Sequence, residues 1–316
     1  AGEYGKKIVE EEFKKPARNA SHSDAGGGIF EKSDGAIVFR GEKYGLHTRV
    51  FINSEGLPTY EAKELGLAKI KYDKYAYDKS VVITGNEIND YFKVVLEAMK
   101  LIFPKLATKT FHLSHGMLRL PTGKMSSRTG EIIAAESLIG QVESLVEAKI
   151  KDADLKTEEK SEIKESVAIG ALKYSILKQA IGGDIIFDFE KSISFEGDSG
   201  PYLQYAFTRA KSVLEKADIE KIKPSFGLMP SDISELEPMI CRFSEVVERA
   251  GQDYAPQYLI TYLIELARIF NAYYAKVKIV DAEDKYSSYK LALTTAFMYV
   301  TKNGLEILGI LTPKKM

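Results

Sequence analysis

A short segment at residues 120–131, LPTGKMSSRTGE, carries the residue types that handle phosphate groups. Two glycines bracket Lys124, Ser126 and Ser127. Glycine lets the backbone approach a ligand closely, while lysine supplies a compact positive charge and serine supplies neutral donors. The pattern predicts a phosphate-handling loop, but not a Walker A loop, because the G-x-x-x-x-G-K-[ST] spacing is absent. A solvated surface turn is the alternative that this segment alone leaves open.

A second set of residues falls on two predicted helices in the last third of the chain. The segments YLQYAFTR (202–209) and FNAYY (270–274) combine aromatic rings, amides and an arginine at helical spacing. Such side chains suit the unstacked bases of an RNA loop, through stacking and hydrogen bonds to base edges. Ordinary bundle core explains the aromatic residues equally well, whereas an arginine and an asparagine are uncommon in a core.

Hydrophobic periodicity predicts the elements that must position these residues. Helical patterns at two places alternate with β-rich runs: strands at 36–40, 47–52, 80–84 and 110–118, helices at 59–72 and 88–103. Alternating strands and helices are typical of a parallel α/β sheet, and ligands bind such sheets at the carboxyl ends of the strands. We therefore expect the Gly85 turn, the His115–Gly116 turn and the loop at 120–131 at one sheet edge.

From Glu131 the pattern becomes helical, apart from an extended interruption predicted at 184–195. The sequence thus predicts an α/β domain at residues 1–136 and an α-helical domain at 137–316. A helical bundle occupies about 200–316 of the second domain.

Bulk composition limits the classes of protein that this chain can belong to. The formal net charge of the 316 residues is −1, so any nucleic-acid contact must come from local basic patches. The single cysteine, Cys241, excludes an intramolecular disulfide and a multi-cysteine zinc site and favours a reducing, cytoplasmic compartment. No apolar run approaches the roughly 18 residues of a membrane span, and the first residues lack a secretory signal core.

Several segments together resemble one family. KMSS at 124–127, between an α/β part and a helical part, resembles the second signature of class I aminoacyl-tRNA synthetases. Four longer segments, at 34–68, 194–214, 265–279 and 291–316, are similar to arginyl-tRNA synthetases. The resemblance implies a partial class I nucleotide-binding parallel sheet followed by an anticodon-binding bundle. It also implies ATP-dependent activation of arginine to arginyl-adenylate and its transfer to tRNA(Arg), with Mg²⁺ accompanying the nucleotide.

The resemblance assigns roles around ATP. Lys124, with Ser126 and Ser127, matches the signature loop that stabilises the departing pyrophosphate, and Met125 is expected near the adenine. The strand exit that lines the adenine pocket in the family matches His112, Gly116 and Met117. A zinc pair at His112 and His115 is the alternative, but no other ligands cluster nearby, so we expect no protein-bound metal site.

The resemblance also places an arginine pocket. Tyr60 matches the aromatic residue that shapes it, and Glu64 lies four residues on, on the same helical face. A carboxylate there could bind a guanidinium with two hydrogen bonds; the alternative is an exposed glutamate paired with a neighbouring lysine. Glu87 matches a third pocket residue. The chain departs from the family at three positions: Glu64 replaces the usual Asp, Ile88 a common Gln, and Tyr91 a common His.

In the helical domain, the resemblance implies that residues on two helices and at the chain end contact the anticodon loop of tRNA. These are Tyr202, Gln204, Tyr205, Arg209, Phe270, Asn271, Tyr274 and Met316. A frayed terminus is the alternative for Met316.

The H-I-G-H signature that class I synthetases carry upstream of KMSS is absent from this sequence. We therefore expect a C-terminal portion of the enzyme with little aminoacylation activity on its own. Separately, we expect the chain to be a monomer. Two alternatives stay open: a non-catalytic tRNA-binding fragment or paralogue, and a class I synthetase for another amino acid.

Overall fold

The computed structural model describes residues 1–15, 28–121, 134–151 and 156–316. Their contacts divide the chain into two compact units, Ala1–Met117 and Leu118–Met316. This division follows packing alone, and the domain boundary predicted at 136–137 stays a prediction. No helix within the described ranges is both long and apolar enough to cross a lipid bilayer.

The first unit mixes helices with two small sheets. Its elements in chain order are α1 (Gly2–Phe13), β1 (Glu31–Ser33), β2 (Ala36–Phe39), β3 (Arg49–Ile52), α2 (Tyr60–Lys74), β4 (Ser80–Gly85), α3 (Asn89–Ile102), α4 (Pro104–Ala107) and β5 (Thr110–His115). β4 and β5 are parallel and pair in register from Ser80–Thr110 to Gly85–His115. The strand–helix–strand unit predicted across 80–118 is therefore confirmed.

The strands before residue 53 correct the prediction of one continuous parallel sheet. β1, β2 and β3 form a separate antiparallel sheet. The cause is local: Asp34 and Gly35 link β1 to β2 with φ angles of 47° and 81°. Two consecutive residues with positive φ form the primed turn that joins neighbouring strands of a hairpin. The Asp-Gly pair therefore reverses the chain where a parallel strand would need a long crossover.

The core of the first unit forms where the antiparallel sheet meets α1 and α2. Phe30, Phe39 and Phe51 are almost fully buried, and the ring centroids of Phe30 and Phe51 lie 4.9 Å apart. α1 and α2 approach each other closely because glycines stand at their contact. A Cβ atom on Gly5 would lie 1.8 Å from the Ala62 carbonyl oxygen, and one on Gly66 would lie 2.4 Å from the Ala1 oxygen.

The Gly5 contact gives a first testable prediction. We expect Gly5→Ala to destabilise the first unit by about 3 kcal/mol, since the methyl group collides with backbone that cannot move aside. Gly140→Ala is the matched control: Gly140 lies within a helix of the second unit (135–150), and no described atom would lie within 4 Å of its Cβ. There the same change should stabilise by about 0.5–1 kcal/mol. Urea unfolding followed by circular dichroism measures both, and equal effects would contradict the packing argument.

The second unit is predominantly helical. Its elements are β6 (Leu118–Arg119), α5 (Ala135–Ile150), α6 (Thr157–Leu177), β7 (Ile185–Ile186), α7 (Phe189–Ser192), α8 (Gly200–Ile219), α9 (Leu236–Cys241), α10 (Phe243–Gln252), α11 (Pro256–Lys276) and α12 (Ser287–Ile307). The segment predicted as extended at 184–195 is extended only at β7, which pairs with β6 in parallel. The extended segment ends at Asp188, which caps the N-terminus of α7. The Asp188 carboxylate accepts a hydrogen bond from the Lys191 N–H at 3.1 Å.

α8 carries half of the predicted RNA-binding residues, and its start is defined by its sequence. The Ser199 hydroxyl accepts a hydrogen bond from the Tyr202 N–H at 3.1 Å, and Pro201 stands in the first turn. Both are favoured at a helix N-terminus. This cap fixes the start of α8, and the helical period of 3.6 residues then determines which residues of 202–209 share a face.

Candidate functional site

The predicted phosphate-handling loop follows β6 in the sequence. Lys124, Met125, Ser126 and Ser127 lie outside the described residues. Their assigned roles stay predictions.

His112 lies on β5 and is held on two sides. Its Nε2 atom is 2.7 Å from the Thr84 hydroxyl on β4, and its ring stacks on Phe92 with centroids 4.0 Å apart and planes 8° apart. Burial lowers the pKa of His112 below its ordinary value of 6.5. A neutral, fixed imidazole is suited to packing and hydrogen bonding near a nucleotide, and less suited to carrying charge.

The other predicted nucleotide residues gather at the carboxyl ends of β4 and β5. Gly116 is buried directly after β5, and its carbonyl oxygen is 2.8 Å from His115 Nδ1. Met117 is partly exposed, and its sulfur would lie 3.7 Å from a Cβ on Gly85, at the end of β4. Glu87 is exposed two residues beyond Gly85. The parallel register thus brings these residues to one sheet edge. No group of three metal-ligating side chains occurs within the described ranges.

The predicted arginine-binding carboxylate, Glu64, is half-buried on α2. It makes no ion pair with any residue that the structure describes, including the lysines considered as its partners: Lys69 pairs with Asp73, and Lys63 lies over the Tyr60 ring at 5.1 Å. Burial raises the pKa of Glu64 above 4.5, and the more distant Lys71 opposes this only in part. Tyr60, one turn before it, is 76% exposed.

A charge pair that the sequence did not reveal lies one turn from Glu64. Glu61 is buried, and its carboxylate is 3.6 Å from the Arg49 guanidinium on β3. Arg49 also lies over the ring of Tyr91, 5.9 Å from its centroid. Burial, then the negative charges of Glu64 and Glu61, raise the pKa of Tyr91, so its hydroxyl stays protonated. Arg49 therefore neutralises Glu61 inside the first unit, whereas no cation of the described residues lies within ion-pair distance of the partly desolvated Glu64.

Six of the eight predicted tRNA-binding residues come together between α8 and α11 and at the chain end. Asn271 links the two helices: its side-chain amide donates to the Tyr202 hydroxyl at 2.9 Å, and its oxygen accepts from Arg209 Nη1 at 2.6 Å. Arg209 also lies between two rings, 4.7 Å from the centroid of Tyr205 and 5.0 Å from that of Tyr274. Both tyrosines are partly exposed. We call these five residues the Arg209 cluster.

For the remaining two residues, Phe270 and Gln204, the structure corrects the predicted contact with RNA. Phe270 is fully buried, with its ring stacked on Phe297 at 3.8 Å, so no ring face is left for a base. Gln204 is also fully buried, and its amide donates to the Leu311 carbonyl oxygen at 2.7 Å and to the Ser166 carbonyl oxygen at 3.1 Å. Gln204 therefore holds the C-terminal segment against α6. Neither side chain reaches solvent, so their predicted contact with RNA is replaced by packing.

A groove of about 530 Å³ opens beside the Arg209 cluster. Met316 lines it and also packs against the apolar core around Val142 and Val146. The groove includes cations that we did not predict, Lys216 on α8 and the pair Lys314–Lys315 beside the terminal methionine. The run PKKM at the end of the chain was the signal that could have indicated the pair Lys314–Lys315. The groove thus presents aromatic faces and positive charge together, with one carboxylate, Glu215, also in its lining. Proteins that bind single-stranded RNA combine aromatic faces and positive charge in this way.

Comparison with known proteins gives two family matches. Residues 11–189 match the family described as tRNA synthetases class I (R), catalytic domain, and residues 203–316 match the DALR anticodon binding domain. Arginine–tRNA ligases of Streptococcus pneumoniae strains CGSP14 and G54 (serotype 19F) are each 31% identical over 291 residues, covering 92% of this chain and 52% of the relative. The chain therefore spans about half the length of the curated relatives it matches.

Solved structures show the same fold. Thermus thermophilus arginyl-tRNA synthetase superposes with a TM-score of 0.79 at 24% identity, over 99% of this chain and 58% of that one. The Plasmodium falciparum arginyl-tRNA synthetase gives 0.71 at 19% identity, over 91% and 50%. The predicted fold class, an α/β part followed by a helical anticodon-binding domain, is thereby confirmed.

Proposed function

The chain belongs to the arginyl-tRNA synthetase family, and we propose that it works as part of an arginine–tRNA ligase. In the proposed reaction the arginine carboxylate attacks the α-phosphate of ATP, arginyl-adenylate forms and pyrophosphate leaves. A ribose hydroxyl of tRNA(Arg) then takes the arginyl group, and AMP leaves. Mg²⁺ would accompany the nucleotide and share its phosphate charge.

The observation that carries this proposal is the half-buried carboxylate of Glu64. A desolvated carboxylate is costly unless a cation joins it. A guanidinium can donate two parallel hydrogen bonds to a carboxylate, with a geometry that an ammonium cannot match. Arg49 already neutralises Glu61, whereas Glu64 has no ion-pair partner among the described residues. The guanidinium of the substrate arginine is proposed to pair with Glu64, and Tyr60 and Glu87 are its further proposed contacts.

Lys124, Ser126 and Ser127 are proposed to act on the departing pyrophosphate. Negative charge builds on the leaving phosphates in the transition state. A lysine that binds these phosphates more strongly in the transition state than in the ground state lowers the barrier of the step. His112, Gly116, Met117 and Met125 are proposed to hold the adenine. Neutral His112 is consistent with this role, since the base is uncharged.

The Arg209 cluster supports tRNA as the second substrate. Tyr205 and Tyr274 expose ring surface, and Arg209 between them presents a planar cation. Rings and guanidinium planes stack on unpaired bases, while the lysines of the groove suit the phosphates that connect them.

Two measurements test the proposal. We expect tRNA(Arg) to bind with an affinity that falls steeply as salt rises, because phosphate contacts release counterions. Absent or salt-insensitive binding would count against a tRNA partner. Arginine-dependent exchange of pyrophosphate into ATP, with lysine and citrulline in parallel, tests the activation step. That this chain alone exchanges slowly stays a prediction; tRNA binding without any arginine binding would instead favour the non-catalytic alternative.

A further inference from the structure

A second groove lies on the helical unit, away from the groove beside Met316. It has a volume of about 500 Å³ and is lined by the end of α6, the residues before α8 and the middle of α11. Four charged side chains face it: Lys178, Asp198, Glu265 and Arg268. None of the residues assigned above to ATP, arginine or tRNA lines this groove. We call it the Arg268 groove.

The charges of the Arg268 groove are only partly satisfied. Asp198 accepts a hydrogen bond from the buried Tyr174 hydroxyl, and its other oxygen is 3.5 Å from Lys178 Nζ. Burial keeps Tyr174 protonated by raising its pKa, so it remains a donor. Arg268 is exposed and makes no ion pair with any residue of the described chain. The groove therefore offers a free guanidinium beside a carboxylate whose orientation is fixed.

The Arg268 groove and the Arg209 cluster share one helix, α11. Ile264 and Arg268 of α11 line the groove together with Asp198, and Asn271 and Tyr274, roughly one and two turns further along α11, contact Tyr202 and Arg209 of α8. The two sites therefore follow one another along α11. Arg268 and Tyr274 are separated by about 9 Å along α11, at about 1.5 Å per residue.

We propose that the Arg268 groove binds a phosphate–ribose segment of the same tRNA whose unpaired bases contact the Arg209 cluster, an inference that rests on the proposed tRNA function. Arg268, assisted by Lys178, contacts a phosphate. Asp198 accepts a hydrogen bond from a ribose 2′-hydroxyl.

Mixed charge is what distinguishes this groove from a simple anion site. Asp198 and Glu265 would repel a bare phosphate, and the two cations would be enough only to offset them. A ribonucleotide unit matches both signs, because its phosphate accepts and its 2′-hydroxyl donates. The Tyr174 hydrogen bond holds the Asp198 carboxylate in place for that donor. The groove is therefore suited to distinguish RNA from DNA without reading a base.

The phosphate contact is tested with an RNA stem–loop that has the anticodon-arm sequence of tRNA(Arg), in a salt series. We expect Arg268→Ala to weaken binding roughly tenfold and to make the slope of log K against log salt shallower by about 1. Arg249→Ala is the matched control, because Arg249 is an exposed arginine on α10 outside both grooves. It should change neither quantity.

The ribose contact is tested with single 2′-deoxy substitutions in the same RNA. At one position of the RNA, the 2′-deoxy substitution should weaken binding to the wild-type protein roughly threefold. The same substitution should not change binding to the Asp198→Asn variant, because both changes remove the same hydrogen bond. The amide that replaces the carboxylate keeps an oxygen for Tyr174, so the variant should fold, and Asp253→Asn serves as control. If Arg209→Ala weakens RNA binding but Arg268→Ala behaves like Arg249→Ala, this inference is wrong and the proposed function stands. If wild type binds no RNA, both fall.

Discussion

Replacing Glu64 with glutamine is expected to lower arginine affinity at least a hundredfold while making the first unit more stable. The loss follows from the two charge-assisted hydrogen bonds that a carboxylate makes to a guanidinium, each worth about 1.5–3 kcal/mol. A glutamine amide can accept only one of them, and it supplies no charge. Isothermal titration with arginine measures the loss, and the KM for arginine in pyrophosphate exchange gives a second value.

The gain in stability follows from the pKa of Glu64. Burial raises the folded-state pKa above its ordinary value of 4.5, so between the two values the folded protein binds more protons than the unfolded chain. The stability that this proton contributes is fully present below the ordinary pKa and is lost as pH rises through the folded-state value. At neutral pH the wild type therefore holds an unfavourable buried charge that Glu64→Gln removes. Melting temperatures of the two proteins should converge in acid and separate at neutral pH.

Glu61, one turn earlier on α2, provides the matched control. Its carboxylate pairs with Arg49, so Glu61→Gln leaves a partly buried guanidinium without its partner. We expect that variant to be less stable than wild type at neutral pH, the opposite of Glu64→Gln. Glu64→Asp, which restores the residue common in the family, should keep arginine binding within about tenfold. Wild-type affinity in Glu64→Gln would refute the placement of the arginine pocket.

Sequence periodicity was sufficient where an element buries one continuous face. α2, α3 and the strands at 80–85 and 110–115 were predicted within a few residues because their apolar spacing is set by local geometry. The sheet at 31–52 was misread for a different reason. Two of its strands, at 36–40 and 47–52, were predicted, but β1 (Glu31–Ser33) was missed because its residues stand in a segment rich in glycine, serine and aspartate. Strand direction depends on the turn, and the Asp34–Gly35 pair joins β1 to β2 as a hairpin.

The candidate sites show a similar division. Spacing correctly placed Tyr202, Tyr205 and Arg209 along one helix. Spacing could not show that Phe270 is turned into the core while Tyr274, one turn on, is exposed, because α11 is apolar on more than one face. Contacts such as Arg209 with Asn271 join residues that are distant in sequence, and they exist only once α8 packs on α11.

Arg209→Ala is expected to weaken tRNA binding by one to two orders of magnitude. The substitution removes a cation and also the planar surface between two tyrosines; stacking alone contributes about 1–3 kcal/mol per base. Arg209→Lys separates the two contributions, because lysine keeps the charge but neither stacks nor holds the fork geometry. It should recover only part of the affinity. Arg249→Ala removes a comparable arginine, also 4.7 Å from a tyrosine ring centroid, outside both grooves, and should leave binding unchanged.

Asn271 determines whether this effect belongs to one residue or to the cluster. Its amide bridges Arg209 and Tyr202, so Asn271→Ala should weaken tRNA binding through Arg209 without removing any charge. If that is the mechanism, the double variant binds no more weakly than Arg209→Ala, because the positioning residue has nothing left to position. Additive losses would mean that Asn271 contacts the RNA itself. Either result requires the protein to remain folded, which is expected because both side chains are partly exposed and the core residue Phe270 is untouched.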